Sequence, residues 1–199
     1  MIIVGLTGRT GSGKSTVGKY YQTLGAEYID TDRLSREVTL PGSDCLEELK
    51  SCFGDEIINP NGTLNRPRLG EIALVGGKNY NKLNEITHRH ILAEVRRRID
   101  AAKDMGREVV IVDAPLLFES GFDRECNYII GVISDDETSV KRVTARDNID
   151  QNTARKRLEK QKSNDFLKAN CHFIIENNST AEELLRRARE IYDTIGGKG

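Results

Sequence analysis

The sequence predicts an α/β fold built around a parallel sheet, and two observations carry this prediction. Short apolar runs alternate with helical stretches, an order typical of parallel strands covered by helices. The first run leads directly into a glycine-rich segment that fits a turn between a strand and a helix. With 199 residues, of which 37% are hydrophobic, the chain is long enough to form one core of this kind.

Four apolar runs have the length and composition of buried strands, and a fifth run is weaker. The four are Ile2 to Leu6, Val109 to Val112, Tyr128 to Ile133 and Phe173 to Ile175, and the weaker one is Ala26 to Ile29. Helical stretches lie between them. Two of these begin with a capping-box pattern, Ser134-x-x-Glu137 and Thr180-x-x-Glu183, which predicts where each helix starts.

The alternation breaks between Asp32 and Glu108, where no convincing strand occurs. Leu92, Val95, Ile99 and Ala102 recur there at helical spacing. We therefore expect a helical insertion of three or more helices at about residues 41–105. The remaining segments, about 1–40 and 106–199, form the core of what we expect to be a single domain, 1–199.

Residues 8–15, Gly-Arg-Thr-Gly-Ser-Gly-Lys-Ser, fit the phosphate-binding pattern G-x-x-x-x-G-K-[ST]. Glycines in such a loop allow backbone N–H groups to point at phosphate oxygens, and the positive end of the next helix faces the same anion. The pattern predicts ATP, bound as its Mg²⁺ complex, with the lysine on the β- and γ-phosphates and the serine hydroxyl on the metal. The expected ATP-binding residues of this loop are Gly11, Ser12, Gly13, Lys14, Ser15 and Thr16.

Carboxylates follow two of the predicted strands. Asp32 comes just after Ala26 to Ile29 and is our candidate catalytic base, because a carboxylate can hold an attacking hydroxyl in line with the γ-phosphorus and accept its proton. It also fits a cap of the next helix, a role compatible with catalysis. Asp113 ends the run Val109 to Val112 and is expected to order Mg²⁺ together with Ser15. The apolar residues Leu117 and Phe118 fit either packing at the sheet edge or a binding loop.

A basic helical hairpin is predicted after the fourth strand. Arg142 and Arg146 are four residues apart and share a helix face, and basic residues continue as far as Lys162. This position suits a lid at about residues 141–165 that brings positive charge onto the phosphoryl group and excludes water. The alternatives are a solvated basic face or an RNA-binding patch. Because no aromatic residue occurs between residues 129 and 165, we expect no nucleic-acid binding.

Composition argues against several other classes of protein. The 30 basic and 31 acidic residues nearly balance, so no global field attracts a polyanion. The four cysteines have no C-x-x-C spacing and the three histidines are scattered, which disfavours a zinc site and favours reduced thiols. No apolar stretch approaches the length of a membrane span. We expect a cytoplasmic protein without membrane contact, either a monomer or a weak homo-oligomer.

Several segments together resemble one family. They are Gly5-Leu6-Thr7-Gly8, Asp30-Thr31-Asp32, Asp113-Ala114-Pro115-Leu116-Leu117-Phe118-Glu119 and Arg142-x-x-x-Arg146-Asp147. With them, nearly the whole chain resembles the dephospho-coenzyme A kinases. The resemblance implies transfer of the γ-phosphoryl group of ATP to the ribose 3′-hydroxyl of dephospho-coenzyme A, with Mg²⁺ required. It also implies a P-loop NTPase-like three-layer fold with a five-stranded parallel sheet, a helical substrate-binding insertion and a helical lid.

The resemblance also implies roles for individual residues. Asp32 aligns with the family's proposed base, and Arg142 with its lid arginine, which together with Lys14 is expected to act on the transferring phosphoryl group. Asn177 is expected to help bind ATP with Arg142 and Arg146, although a polar turn after the last strand fits Asn177 equally well. The expected acceptor-binding residues are Thr7, Asp32, Arg66, His88 and Leu117. The chain departs from the usual family pattern at Arg9-Thr10 and at Arg89.

Two other functions fit the phosphate-binding loop. One is another P-loop kinase, acting on a nucleoside or a nucleotide. The other is a non-enzymatic ATP-binding regulator, which predicts nucleotide binding without acceptor-dependent release of ADP.

Overall fold

The computed structural model describes residues 1–74 and 77–196. They fall into two compact units. Met1–Asp30 and Ala101–Gly199 form the first, which we call the strand unit, and Thr31–Asp100 forms the second, which we call the helical unit. Within residues 1–74 and 77–196, no helix combines the length and the apolar character needed to cross a membrane.

The strand unit contains a five-stranded parallel sheet in the order β2-β3-β1-β4-β5. The strands are β1 (Ile2–Gly8), β2 (Glu27–Asp30), β3 (Val109–Asp113), β4 (Tyr128–Ile133) and β5 (Phe173–Glu176). All five predicted strands, including the weaker one, are therefore confirmed. Because the strands are parallel, their carboxyl ends meet at one edge, and the register places Asp113 beside both Leu6 and Asp30 there.

Five helices belong to the strand unit. They are α1 (Lys14–Thr23), α6 (Asp136–Asp147), α7 (Gln151–Glu159), α8 (Asn164–Asn170) and α9 (Ala181–Thr194), with a 3₁₀ turn at Phe122–Glu125. Thr180 caps α9 as predicted, since its side chain accepts the N–H of Glu183. The predicted cap at Ser134 is wrong by one residue: Asp135 accepts the N–H of Thr138 and caps α6, while the hydroxyl of Ser134 lies 2.6 Å from that of Ser139.

Other parts of the strand unit pack against both faces of the sheet. On one face, β-branched strand residues meet α1 and α9, and the rings of Tyr21 and Tyr192 stack with their centroids 5.3 Å apart. On the other face, Gly131 of β4 leaves room for Cys171, the residue after α8, whose sulfur would lie 2.9 Å from a Cβ at that glycine. Burial on both faces explains why the strands are continuous apolar runs without alternation.

The helical unit is built from α2 (Thr31–Glu37), α3 (Asp44–Phe53), α4 (Arg66–Leu74) and most of α5 (Gly77–Asp104), with a 3₁₀ turn at Asp55–Ile57. Ser43 caps α3 by accepting the N–H of Leu46. These elements share one apolar cluster of buried side chains, Cys45, Leu49, Phe53, Ile57, Leu69 and Ile86. The unit therefore has its own core, separate from that of the sheet.

Candidate active site

The phosphate-binding loop connects β1 to α1, and two of its glycines have left-handed backbone conformations. Gly11 has φ 81° and Gly13 has φ 94°. A Cβ at Gly13 would lie 2.3 Å from Nδ2 of Asn177, and one at Gly11 would lie 2.6 Å from the carbonyl oxygen of Ser139. Any side chain at either position would therefore meet both backbone strain and a close neighbour. The tight curve places the N-terminus of α1 at the end of the loop, where its amides and dipole favour an anion.

Side chains from distant segments hold this loop from outside. Asn177 Nδ2 donates to the carbonyl oxygen of Ser12 at 2.7 Å, and Arg142 Nη1 donates to that of Gly11 at 3.3 Å. Gln161 Oε1 accepts the N–H of Thr10 at 2.9 Å. Arg142 and Asn177 are also joined, since Nη1 and Nη2 of the arginine donate to the carbonyl and side-chain oxygens of Asn177 at 3.1 and 3.3 Å. The loop is therefore tied to segments far away in the chain.

Lys14 and Asp113 form an ion pair at the carboxyl edge of the sheet. Nζ of Lys14 bonds Oδ1 of Asp113, and the hydroxyl of Tyr28 donates to Oδ2 at 2.6 Å. Asp113 is only 2% exposed, so its charge needs these partners. Ser15, in the first turn of α1, is exposed and presents its hydroxyl to solvent. The strand unit thus holds a buried carboxylate, an ammonium group and an accessible hydroxyl on the elements that flank the loop.

The described residues contain no cluster of three or more His, Cys, Asp or Glu side chains that could hold a metal ion by themselves. Mg²⁺ typically binds through one or two protein oxygens, with phosphate oxygens and waters completing its octahedron. Ser15 and Asp113 supply oxygen donors of that kind.

The two predicted lid arginines both reach the loop. Arg142 binds Gly11 as described, and Arg146 Nη2 lies 3.4 Å from Oγ1 of Thr10. Arg146 also donates to Asp147 at 2.7 Å, and this hydrogen bond raises the pKa of its guanidinium. Because Arg142 here binds the loop itself, its contact with a transferring phosphoryl group stays a prediction.

A small cleft lies beside the start of the loop. Its lining residues come from β1 and the start of the phosphate-binding loop, the segment after β3, the segment between α7 and α8, and α8 itself: Thr7, Gly8, Arg9, Pro115, Phe118, Gln161, Lys162 and Leu167. Of the predicted acceptor residues, Thr7 lines this cleft. Leu117 is fully buried and packs against Gly5, so its predicted contact with the acceptor finds no support in this geometry. Phe118 lines the cleft instead.

Arg9, where the family pattern usually differs, forms an ion pair with Asp136 in the first turn of α6. The guanidinium is largely buried, with its side chain 10% exposed. Its charge is therefore neutralised within the strand unit. This pairing favours a role in fixing α6 beside the loop over direct binding of an anionic substrate.

Three other predicted residues lie in the helical unit. Asp32 is exposed in the first turn of α2, and because the helix begins at Thr31, Asp32 is a helix residue and not its cap. Arg66, the first residue of α4, donates to Oγ1 of Thr39 at 2.7 Å and to the carbonyl of Ser35 at 3.3 Å. Burial, followed by the charge of Arg36, lowers the pKa of the Arg66 guanidinium. His88 is half-buried on α5.

Tyr28 and Gln161 also contact the site, although neither was among the predicted site residues. Gln161 lies 151 residues from its partner Thr10, and Tyr28 lies 85 from Asp113. Tyr28 reaches Asp113 because β2 and β3 are neighbours in the sheet, and strand order is not visible in a single sequence. Only knowledge of that order could have identified Tyr28.

Comparison with known proteins assigns the family. The family model described as dephospho-CoA kinase matches residues 2–183. A dephospho-CoA kinase of Corynebacterium glutamicum is 36% identical over 195 residues, which cover 98% of each chain. A crystal structure of a Thermus thermophilus protein has a TM-score of 0.83 and 27% identity, covering 98% of this chain and 97% of that one. The structure of dephospho-CoA kinase from Campylobacter jejuni, at 24% identity, supports the fold, with a TM-score of 0.72 over 97% of this chain and 96% of that one.

The family match runs from the first strand into the last helix, and the relative from Corynebacterium glutamicum matches along both units of the chain. The chain belongs to the dephospho-CoA kinase family.

Proposed function

We propose that this protein transfers the γ-phosphoryl group of ATP to the ribose 3′-hydroxyl of dephospho-CoA, giving CoA and ADP. The observation that carries the proposal is the match to dephospho-CoA kinases over residues 2–183, which includes the phosphate-binding loop and the whole helical unit. A match confined to the loop would have supported nucleotide binding alone.

ATP is proposed to bind with its phosphates in the loop. The amides of Gly11, Ser12, Gly13 and the first turn of α1, including Lys14, Ser15 and Thr16, face the β- and γ-phosphates, as in other loops of this pattern. Lys14 leaves Asp113 and contacts the β- and γ-phosphates. Arg142, Arg146 and Asn177 hold the loop and the nucleotide, which is supported by their bonds to Gly11, Thr10 and Ser12.

Mg²⁺ is proposed to be held by Ser15 and Asp113, whose oxygen donors fit this hard cation. When bound, the ion neutralises charge on the β- and γ-phosphates. The Asp113 carboxylate is already held by Lys14 and Tyr28, so it does not need to be turned before the metal arrives.

Asp32 is proposed to accept the hydrogen bond of the 3′-hydroxyl, orient it toward the γ-phosphorus and take its proton as the new bond forms. Its exposed position in the first turn of α2 leaves the carboxylate accessible to an acceptor. Thr7, Arg66 and His88 are proposed to bind dephospho-CoA, whereas Leu117 is left out of this set because its side chain is fully buried against Gly5. Among them, Arg66 has a charge that suits the diphosphate of this acceptor.

The helical hairpin of α6 and α7 is proposed to act as a lid, part of a segment at about residues 141–165 that closes over the triphosphate and excludes water. The proposed substrate-binding insertion is at about residues 41–105. We further propose that the enzyme works in the cytoplasm as a monomer or weak homo-oligomer, without nucleic acid or membrane. The near balance of basic and acidic residues supports the last point.

An acceptor panel tests the proposed function. The purified protein is incubated with Mg-ATP and, in turn, dephospho-CoA, nucleosides, nucleotides or no acceptor, and ADP is measured. We expect ADP formation that depends on dephospho-CoA. A preference for a nucleoside or nucleotide would overturn the acceptor assignment, and ATP binding without any acceptor-dependent ADP would indicate a regulator.

A further inference from the structure

Tyr28 connects three parts of the strand unit. Its hydroxyl donates to Oδ2 of Asp113 at 2.6 Å, while Oδ1 of the same carboxylate bonds Lys14. Tyr28 pairs with Ile111 in the register of β2 and β3, so its ring extends past two residues of β3 toward the carboxyl edge. The phenol therefore reaches Asp113 from the neighbouring strand β2.

The ring of Tyr28 lies against α1 at a glycine. A Cβ at Gly18 would be 2.4 Å from Cε2 of the ring, 3.0 Å from Cζ and 3.1 Å from the hydroxyl oxygen. Gly18 is buried in the middle of a helix and has no left-handed backbone conformation, so local geometry does not require glycine there. Glycine in a helix interior is less favourable than alanine. The tyrosine ring occupies the space that a Cβ at position 18 would need, and this explains why the residue there is glycine.

We propose that Tyr28 is a positioning residue, which fixes the Asp113 carboxylate for the metal ion of the bound nucleotide, and that Gly18 admits its ring. This inference rests on the proposed function, in which Asp113 orders Mg²⁺. The torsion that turns a carboxylate about its last bond is soft, so a carboxylate that loses one partner rotates readily. When the triphosphate draws Lys14 away from Oδ1, the bond from Tyr28 to Oδ2 keeps the freed oxygen pointing in the same direction.

The expected size of the effect follows from other metal sites, where losing a hydrogen bond to a metal-ligating group lowers metal affinity by about 10- to 100-fold. Tyr28→Phe removes only the hydroxyl and keeps the ring against Gly18. We expect it to raise the Mg²⁺ concentration for half-maximal activity about tenfold. The KM for ATP at saturating Mg²⁺ should stay within about twofold, because the contacts of the loop with the phosphates are unchanged.

The matched control is Tyr192→Phe, which removes another hydrogen-bonded phenol from the strand unit, 3.3 Å from the carbonyl of Leu24 and away from Asp113. A second readout does not depend on activity: binding of Mn²⁺ to the complex of protein and ADP, followed by electron paramagnetic resonance. We expect weaker Mn²⁺ binding in Tyr28→Phe and wild-type binding in Tyr192→Phe. Equal Mn²⁺ affinity in wild type and Tyr28→Phe would overturn the proposal, as would an equal loss in both variants.

Gly18→Ala tests the second half of the inference. In the wild-type background the new methyl group displaces the ring, and we expect the same loss of Mn²⁺ affinity as in Tyr28→Phe. In a Tyr28→Val background there is no ring to displace, so Gly18→Ala should change Mn²⁺ affinity by less than about twofold. An equal effect of Gly18→Ala in both backgrounds would contradict the role of Gly18. Because Mn²⁺ binding is measured with ADP alone, a failure of the dephospho-CoA assay in the wild type would be separate from a failure here.

Discussion

The strand unit and the helical unit differ in the kind of contact that holds their candidate functional residues. In the strand unit, the phosphate-binding loop is fixed by side chains far away in the chain. Asn177 is 165 residues from Ser12, Gln161 is 151 from Thr10, and Arg142 is 131 from Gly11. In the helical unit, Arg66 binds Thr39 only 27 residues away, and other links are ion pairs on helix surfaces such as Arg97 with Glu94.

From this difference we expect residues of the strand unit to act mainly on ATP and residues of the helical unit to act mainly on the acceptor. A loop that is fixed before the nucleotide arrives spends little binding energy on ordering, so a change in its supports should act mainly on ATP. The helical unit offers exposed or half-buried charged and polar groups on separate helices, which suits contacts with a long, flexible acceptor. Substitutions in the two units should therefore change different kinetic constants.

Lys14→Ala should have the largest effect. Removing the ammonium group that contacts the β- and γ-phosphates should lower kcat/KM by about 10³-fold or more, equivalent to about 4 kcal/mol of transition-state stabilisation. Steady-state kinetics with dephospho-CoA measure this loss. Lys19→Ala is the matched control, since Lys19 is exposed on the same helix and should leave kcat/KM within about twofold. A loss in Lys14→Ala below about tenfold would contradict the role of Lys14.

Asp32→Asn should act on turnover and leave ATP binding intact. Without a proton acceptor, kcat should fall by about 10²- to 10⁴-fold, while ATP affinity measured by calorimetry should change by less than about twofold. Asp44→Asn provides the control, because Asp44 is also an exposed carboxylate in the first turn of a helix of the same unit. A near-normal kcat in Asp32→Asn would remove the base assignment.

The next pair of variants tests directly whether the two units affect the binding of different substrates. Asn177→Ala removes the bond to Ser12 and one of the bonds that hold Arg142, so the KM for ATP should rise about tenfold with the KM for dephospho-CoA within about twofold. The adjacent Asn178 accepts a bond from the N–H of Asp135, at 2.9 Å, and Asn178→Ala should leave both KM values near wild type. Arg66→Ala should show the opposite pattern, with the KM for dephospho-CoA about tenfold higher.

Arg68→Ala is the control for Arg66, since it is two residues away on the same helix and pairs with Glu56 and Glu71 on the surface. It should change neither KM by more than about twofold. If Asn177→Ala and Arg66→Ala raised the two KM values by the same factors, the units would not divide the substrates as proposed.

The smallest effect is expected at the surface of α5. Hydrogen bonds from Arg97, and to a lesser extent Arg98, lower the pKa of Glu94 from 4.5 to about 2. A lowered carboxyl pKa contributes stability that is present above the ordinary pKa of 4.5 and is lost as the pH falls toward 2. Because such partly exposed pairs contribute little, Glu94→Gln should lower the free energy of unfolding at pH 7 by about 0.5–1 kcal/mol.

Urea unfolding at several pH values measures this contribution, and the difference from wild type should shrink below pH 4.5. Asp100→Asn is the control: Asp100 is exposed on the same helix and makes no ion pair within residues 1–74 and 77–196, so its removal should have little effect at any pH. A Glu94→Gln difference that grows at low pH would contradict the assigned sign.

Much of the fold could be read from the sequence because it is encoded locally. Strands buried on both faces are apolar runs, so even the short β2 was predictable, and the loop pattern identified the start of α1. A prediction that depended on the identity of one residue, the cap of α6, was wrong. Asp135 and Ser134 both have side chains that cap helices, and sequence alone chose the wrong one.

The long-range hydrogen bonds that hold the site could not be predicted in the same way. The bond between Asn177 and Ser12 depends on the segments after β5 and β1 lying at the same edge of the sheet, and the bond between Tyr28 and Asp113 depends on β2 lying beside β3. Likewise, the apolar pair Leu117 and Phe118 gave no signal as to which residue faces the core. In the structure Leu117 is fully buried and Phe118 lines the cleft, a choice made by packing against Gly5.

The most direct test of the central claim is the identity of the product formed from dephospho-CoA. The reaction with Mg-ATP is followed to completion, and the acceptor is analysed by mass spectrometry and ³¹P nuclear magnetic resonance. The account predicts one added phosphate per molecule, present as a monoester on the ribose 3′-oxygen, with one ADP formed for each. Unmodified dephospho-CoA, or a phosphate attached at any other position, would contradict it.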